Sequence, residues 1–111
     1  GTLTTVAGTG TEGATGDGGP AIAARLSQPF GVALDEDGTL YIGDRGNFKV
    51  RRVTPDGVID TLAGTGVEGA TGDDGPAAAA SFGYVARVAL DGDRLLIADQ
   101  SNALIRGVIL R

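Results

Sequence analysis

The stretch Val6-Ala7-Gly8-Thr9-Gly10-Thr11-Glu12-Gly13-Ala14-Thr15-Gly16-Asp17 decides the fold, because the chain contains it twice. It returns 56 residues later as Leu62-Ala63-Gly64-Thr65-Gly66-Val67-Glu68-Gly69-Ala70-Thr71-Gly72-Asp73. A repeat of this length is typical of a propeller blade or a solenoid unit, which buries its apolar faces only by stacking on copies of itself. The chain is therefore expected to be part of an assembly of repeats.

Each repeat predicts four short strands separated by turn residues. In the first copy the strands are expected at Phe30 to Asp35, Thr39 to Gly43, Phe48 to Val53 and Val58 to Ala63. Four consecutive antiparallel strands in about 55 residues favour a propeller blade over a helical solenoid. The predicted fold class is an all-β β-propeller with four-stranded antiparallel blades, two to a chain. Repeat 1 would span about residues 1–56 and repeat 2 about residues 57–111 of a single unit.

Composition excludes several kinds of chemistry. The 111 residues include no Cys, His, Met or Trp, so there is no disulfide framework, no zinc site of the usual kind and no His-activated nucleophile. The formal charge of −5 argues against a nucleic-acid partner, because a phosphate backbone is bound by clustered Lys and Arg. No apolar run approaches the roughly 20 residues of a membrane span, so no membrane partner is expected. We also expect no cofactor and no metal.

The phase of the repeat predicts how copies of the chain assemble. Residues 1–8 align with residues 57–64, the fourth and outermost strand of a blade, whereas residues 104–111 align with a third strand. One blade thus lacks the outer strand that the chain carries unpaired, so we expect copies to exchange strands. Three copies would close a six-bladed homotrimer, and the same contact without closure would give a filament. The predicted assembly residues are Leu3, Val6, Leu104, Ile105, Val108, Ile109 and Leu110.

Three segments of the first copy carry a further pattern. They are Pro29-Phe30-Gly31-Val32-Ala33-Leu34-Asp35, then Gly38-Thr39-Leu40-Tyr41-Ile42-Gly43-Asp44, and then Asn47 with Val50 and Arg51. In these segments the chain resembles the NHL repeat, and its Gly-Asp-Gly-Gly-Pro-Ala loop resembles a longer bacterial variety of that repeat. The resemblance implies a β-propeller, usually of six blades, and a binding or scaffold module. It favours an extracellular or periplasmic location, although the sequence itself does not identify a compartment.

The Gly-rich loops suggest two kinds of ligand. Residues 8–13 and 64–69 match Gly-x-Gly-x-x-Gly, but no helix follows them, and Glu12 and Glu68 place negative charge where a phosphate would lie. The acidic loop residues suggest calcium but lack its alternating Asp pattern. Asp17 and Asp73 are equally suited to accept amide hydrogen bonds within their own loops. We therefore favour a structural role for these loops.

Asp44 and Asp99 follow the second strand of each repeat, on the side of the Gly-rich loops. We expect Asp44-x-x-Asn47 and Asp99-x-x-Asn102 to close hairpin turns through local hydrogen bonds. Both aspartates are nevertheless candidate residues for binding a ligand or partner. A metal-dependent hydrolase or lyase, the enzymatic alternative, would need one of them to point towards the propeller axis.

Arg87 is the residue that most breaks the repeat, because it replaces Gly31 beside the expected propeller axis. Arg, Tyr and Phe are enriched where proteins bind partners, so Arg87, Tyr84 and Phe30 are predicted binding residues. Alternatively, Arg87 pairs with a carboxylate on the acidic face. The predicted function is a non-enzymatic interaction or scaffold module whose partner is another copy of itself. A second protein, or a sugar or anion held near the axis, is the alternative partner.

Overall fold

Two antiparallel sheets form the computed structural model, which describes residues 1–110. Blade 1 has four strands in sequence order, and blade 2 has three. This confirms the predicted all-β propeller architecture; Arg111, where the last expected strand ends, lies outside the described residues. The strands of blade 1 are β1 (Pro29–Leu34), β2 (Leu40–Asp44), β3 (Lys49–Val53) and β4 (Ile59–Ala63), and those of blade 2 are β5 (Val85–Asp91), β6 (Arg94–Asp99) and β7 (Leu104–Ile109).

Short 3-10 turns lie outside the strands, at the same points of both repeats. One pair follows a proline, at Ala21–Ala23 and Ala77–Ala79, and the other follows the second strand of each blade, at Arg45–Asn47 and Gln100–Asn102. Proline suits this position because its fixed φ leads into a turn and its missing N–H has no partner to lose. In the part of the chain that the structure describes, no helix has the length and apolar character needed to cross a membrane.

The first two strands of each blade pair in the same register. Pro29 pairs with Asp44 in blade 1, and Val85 pairs with Asp99 in blade 2. The register then shifts by way of an irregularity, which lies between Pro29 and Val32 in one blade and between Val85 and Val88 in the other. A bulge of this kind redirects the side chains within it. Here the redirected residues include Phe30 and Arg87, both of which are exposed.

The core lies between and within the blades. β1 and β2 pack against β5, so the first strands of the two blades are neighbours, as expected of the inner strands of a propeller. Phe82 is buried in the core cluster between the blades. A second cluster inside blade 1 joins the proline-led turn to the sheet through Ala21, Ala24, Ile42, Val53 and Ile59.

Two glycines of blade 1 set the distance between the blades. A Cβ atom at Gly31 would lie 2.5 Å from the Cα of Arg87, and one at Gly43 would lie 2.6 Å from the carbonyl oxygen of Ala86. Both distances are shorter than atoms in contact permit, so only glycine allows this approach. At the equivalent positions blade 2 carries Arg87 and Ala98. The face that blade 2 turns away from blade 1 therefore has a different shape.

We expect Gly43→Ala to destabilise the chain by about 1 to 3 kcal/mol, because the added methyl group must push β5 away. Where no such contact exists, the same exchange stabilises a protein by about 0.4 to 1 kcal/mol, so the sign of the effect is informative. Chemical denaturation measures it.

Ala98→Gly is the matched control at the equivalent position of blade 2. It should cost only about 0.5 to 1 kcal/mol, the usual price of glycine inside a strand. A smaller loss for Gly43→Ala than for Ala98→Gly would show that the blades tolerate a wider spacing.

Candidate functional site

Asp44, at the end of β2, is fully buried and accepts three hydrogen bonds. Its Oδ1 accepts from the backbone N–H of Ser27 at 2.8 Å, and its Oδ2 accepts from Asn47 Nδ2 at 2.8 Å. The same Oδ2 accepts from Arg51 Nη1 at 3.1 Å. The bond to Asn47 is the local closure that the sequence predicts. The other two bonds, which it does not predict, join the turn to the preceding loop and to β3.

Arg51 of β3 is the centre of this network and is fully buried. It donates to Asp17 Oδ1 from Nη2 at 2.9 Å and from Nε at 3.2 Å. It also donates to the carbonyl oxygens of Thr15 at 3.2 Å and Arg25 at 3.0 Å. Asp17 Oδ2 in turn accepts from the hydroxyl of Thr61, in β4, at 2.6 Å. Asp17 thus binds a guanidinium and a hydroxyl rather than the loop amides that we expected.

Blade 2 repeats the network around Arg106. This side chain donates to Asp99 at 3.4 Å, to Asp73 at 2.9 Å and to two carbonyl oxygens of the second Gly-rich loop and its turn. Within residues 1–110, however, blade 2 has no fourth strand and therefore no counterpart of the Thr61 hydroxyl. The side chain of Asp73 is 68% exposed, against 42% for Asp17.

Neither Asp44 nor Asp99 reaches solvent, although the sequence marks both as candidate binding residues. Each carboxylate is held by a buried arginine and an asparagine of its own blade. Over residues 1–110, no three acidic side chains come together in a way that would hold a metal ion. The two aspartates therefore organise their blades, and the candidate surface lies elsewhere.

Five side chains form an exposed to half-buried group where the blades meet, which we call the arginine–aromatic cluster. The guanidinium carbon of Arg45 lies 4.8 Å from the ring centroid of Tyr84 and 5.8 Å from that of Phe30. The guanidinium carbon of Arg87 lies 5.4 Å from the same Phe30 centroid. The Tyr84 ring is also 5.4 Å from that of Phe48. Phe30, Tyr84 and Arg87, predicted from the sequence, are thus brought together.

Arg45 and Phe48 belong to this cluster but were not among the predicted site residues. The two copies differ at these positions, because Gln100 and Ala103 occupy them in blade 2. A comparison of the two turns could have found them, just as the comparison of the inner strands found Arg87. The cluster thus arises only at the junction of blade 1 with blade 2.

The predicted assembly residues fall into two groups. Leu3 is 99% exposed, and Val6, Leu104, Ile105 and Ile109 are also exposed. Val108 and Leu110 instead are partly buried and pack against the core of their own chain. The sequence could not separate the groups, because both faces of β7 carry apolar residues.

A groove of about 740 Å³ lies beside the β1–β2 turn, at the end of the sheets away from the arginine–aromatic cluster. Its ionisable groups interact with one another. Burial, and then the charge of Asp35 at 3.3 Å from the phenol oxygen, raises the pKa of Tyr41. The hydrogen bonds to Asp60 raise the pKa of Arg52. These residues are therefore already engaged within blade 1.

The geometry defines a class of protein: a propeller whose blades each centre on a buried Asp–Arg pair, with the Gly-rich loop folded over that pair. A sequence profile of the teneurin NHL domain matches residues 4–91. The chain belongs to the teneurin NHL domain family.

Curated relatives agree with this assignment. The chain is 37% identical over 87 residues to the chloroplastic protein SUPPRESSOR OF QUENCHING 1 of Arabidopsis thaliana, an alignment that covers 77% of this chain and 8% of that protein. It is 41% identical over 66 residues to mouse Teneurin-3, covering 54% of this chain and 2% of the relative. The chain thus spans a small part of these proteins, and their activities as whole proteins do not transfer to it.

Solved structures share the fold. A structural genomics protein of unknown function from Bacteroides thetaiotaomicron has a TM-score of 0.74 at 33% identity, covering 86% of this chain and 24% of that one. A second protein of that bacterium, described as a candidate phosphatase, has a TM-score of 0.72 at 28% identity, covering 92% and 25%. An auxiliary nutrient binding protein from Bacteroides ovatus has a TM-score of 0.67 at 22% identity, covering 87% and 26%, and shows likeness of fold alone.

We expect Arg51→Met to cost about 3 to 5 kcal/mol or to prevent folding, because it leaves the carboxylate of Asp44 buried without its cation. Arg52→Met is the matched control one residue along β3. It breaks a pair with Asp60 whose side chains are 33% and 43% exposed, so the loss should stay within about 1 kcal/mol. Urea unfolding curves compare the two, and similar losses would rule out a central role for Arg51.

Proposed function

We propose that this chain is a non-enzymatic interaction module whose blade 2 is completed by the N-terminal strand of a second copy. The observation that carries the proposal is the pair of unpartnered segments. In residues 1–110 no strand pairs with the outer edge of β7, and residues 1–8 form no strand. An apolar strand edge left open is prone to pair with another chain.

The course of the N-terminal segment supports the exchange. The backbone N–H of Gly64, just after β4, donates to the carbonyl oxygen of Ala77 at 3.0 Å. The N–H of Gly8 donates to the carbonyl oxygen of Ala21, the equivalent residue, at 2.9 Å. Residues 3–7 therefore precede blade 1 as β4 precedes blade 2. Since β4 belongs to the blade before its loop, residues 3–7 would belong to a blade before blade 1.

The side chains of the N-terminal segment match those of β4. Leu3 aligns with Ile59, which is fully buried in blade 1, and Thr5 aligns with Thr61. In a completed blade 2, Thr5 of the second copy would donate to Asp73 as Thr61 donates to Asp17 at 2.6 Å. That bond would supply the one member of the blade 1 network that blade 2 lacks.

Neighbouring blades would lie farther apart at the contact between two copies than at the contact within one copy. Blade 2 presents Arg87 and Ala98 where blade 1 presents Gly31 and Gly43, and a Cβ atom at those glycines would come within 2.6 Å of the neighbouring blade. A ring built from three copies would therefore alternate close and wide blade contacts. If the wider contact changes the rotation between blades, the same exchange gives a filament.

The non-enzymatic part of the proposal is supported by the state of the turn aspartates. A metal-dependent propeller hydrolase would need Asp44 or Asp99 at the axis, and each is instead engaged by a buried arginine. The candidate phosphatase among the structural neighbours is 28% identical to this chain, and its activity is not carried over.

We expect light scattering to give a particle mass three times the chain mass of 11.0 kDa, and the mass of a single chain for Leu3→Asp. The reason is that a carboxylate at this position would be buried without a partner, at a cost of several kcal/mol. Val67→Asp is the matched control, because Val67 is 69% exposed in a loop outside the proposed contact, and it should leave the mass unchanged.

A synthetic peptide of residues 1–8 should bind a chain that lacks residues 1–7, which restores the missing strand. A parent chain that stays monomeric at all concentrations, or a Leu3→Asp chain that keeps the parent's mass, would refute strand exchange. If the measured mass grows with concentration beyond that of three chains, the copies form a filament rather than a closed ring.

A further inference from the structure

Two groups of arginine differ in what surrounds them. Arg51, Arg52, Arg94 and Arg106 each form an ion pair with an aspartate at 3.4 Å or less. Arg25, Arg45 and Arg87 form no ion pair with any carboxylate among residues 1–110. Of these three, Arg45 and Arg87 lie over aromatic rings, as the ion-paired Arg106 also does at Phe82. In a chain with a formal charge of −5, two such cations beside one ring are a local exception.

Stacking leaves the donors of a guanidinium available. The aromatic ring contacts the face of the group, whereas its N–H bonds lie in the plane and point outwards. Arg45 Nη2 donates to Gln100 Oε1 at 3.4 Å, a long contact, and the buried Nε has no hydrogen-bond partner within the described chain. Buried donors are nearly always paired in native proteins, so an unpaired one needs an explanation.

The positive charges of Arg45 and Arg87 favour a ligand of negative charge. Both guanidinium carbons lie within 6 Å of the Phe30 centroid, so the two cations flank one aromatic ring. An anion close to both would be attracted by both charges. A groove of about 420 Å³ opens beside Phe30 and Arg87; Asp99, Gln100, Leu104 and Ile105 also line it, whereas Arg45 does not.

We propose that Arg45 and Arg87 together bind a small oxyanion, the carboxylate, sulfate or phosphate group of a ligand, over the Phe30 ring where the two blades meet. Such a group presents two or more oxygens in the geometry that guanidinium donors match. Tyr84 and Phe48 hold Arg45 in place from the other side. Both arginines belong to one copy of the chain, so a chain that does not exchange strands would still carry the site. The groove is also lined by Ala98, Leu104 and Ile105, which a neighbouring copy would cover in the proposed ring.

Titration calorimetry with sulfate, phosphate, acetate and galacturonate tests the proposal, with chloride at equal ionic strength as the reference. We expect saturable binding of at least one of these anions. Galactose, which matches galacturonate except for the carboxylate, should not bind. The affinities for galacturonate, sulfate and phosphate, compared with one another, distinguish an acidic sugar from an inorganic anion.

Arg87→Gln and Arg45→Gln should each weaken that binding at least about tenfold, because each removes charged hydrogen bonds to the anion. Arg94→Gln is the matched control, since its exposed pair with Asp91 lies away from the cluster, and it should bind as the parent does. Thermal melts verify folding: the anion should raise the melting temperature of the parent and of Arg94→Gln but not of the two cluster variants.

The proposal is refuted if no anion binds more tightly than chloride, or if the cluster variants bind as well as the parent does. Arg87 is exposed, so Arg87→Gln decides the question even if Arg45→Gln does not fold. A monomeric chain that binds sulfate would refute strand exchange and leave this site intact, so the two proposals fail separately.

Discussion

A buried guanidinium in each blade ties the Gly-rich loop to the sheet, and the rest of the structure depends on it. Arg51 reaches Asp44 at the end of β2 and both Thr15 and Asp17 in the loop. The loop is long and rich in glycine, so it has little apolar surface with which to pack and much conformational entropy to lose. Charged hydrogen bonds from the fully buried guanidinium compensate for this.

Within residues 1–110, the equivalent network in blade 2 has its arginine, aspartates and loop carbonyls but no threonine of a fourth strand. Arg106 has its aspartates and loop carbonyls, but Asp73 faces solvent where Asp17 meets a threonine of β4. The inner edge of blade 2 differs from that of blade 1 as well, because Arg87 replaces Gly31. One duplicated sequence therefore produces two unlike blades, and the differences lie at the surfaces that a neighbouring blade or a ligand would meet.

Much of the fold could be predicted from the repeat. The four strands of blade 1 begin and end within about a residue or two of their predicted limits, because turn residues such as Asp-Gly and Pro-Asp-Gly mark local boundaries. Arg87 was found because it breaks the repeat, and Phe30 and Tyr84 were found by residue type beside it. Arg45 was missed because the two turns were not compared, although Gln100 replaces it in blade 2. Asp17 was given the wrong partners because its arginine lies 34 residues away.

The sequence by itself determined the blade as a unit, its period, its strands and the kinship of the chain with NHL repeats, since these follow from short-range patterns and their recurrence. Only the tertiary structure decided which charges are buried and which are free. Burial and pairing are properties of segments far apart in the chain: Asp44 is enclosed by the loop and by β3, while Arg87 meets Phe30 across two blades. The chemical groups of a side chain follow from the sequence, whereas its exposure to solvent depends on how distant segments pack.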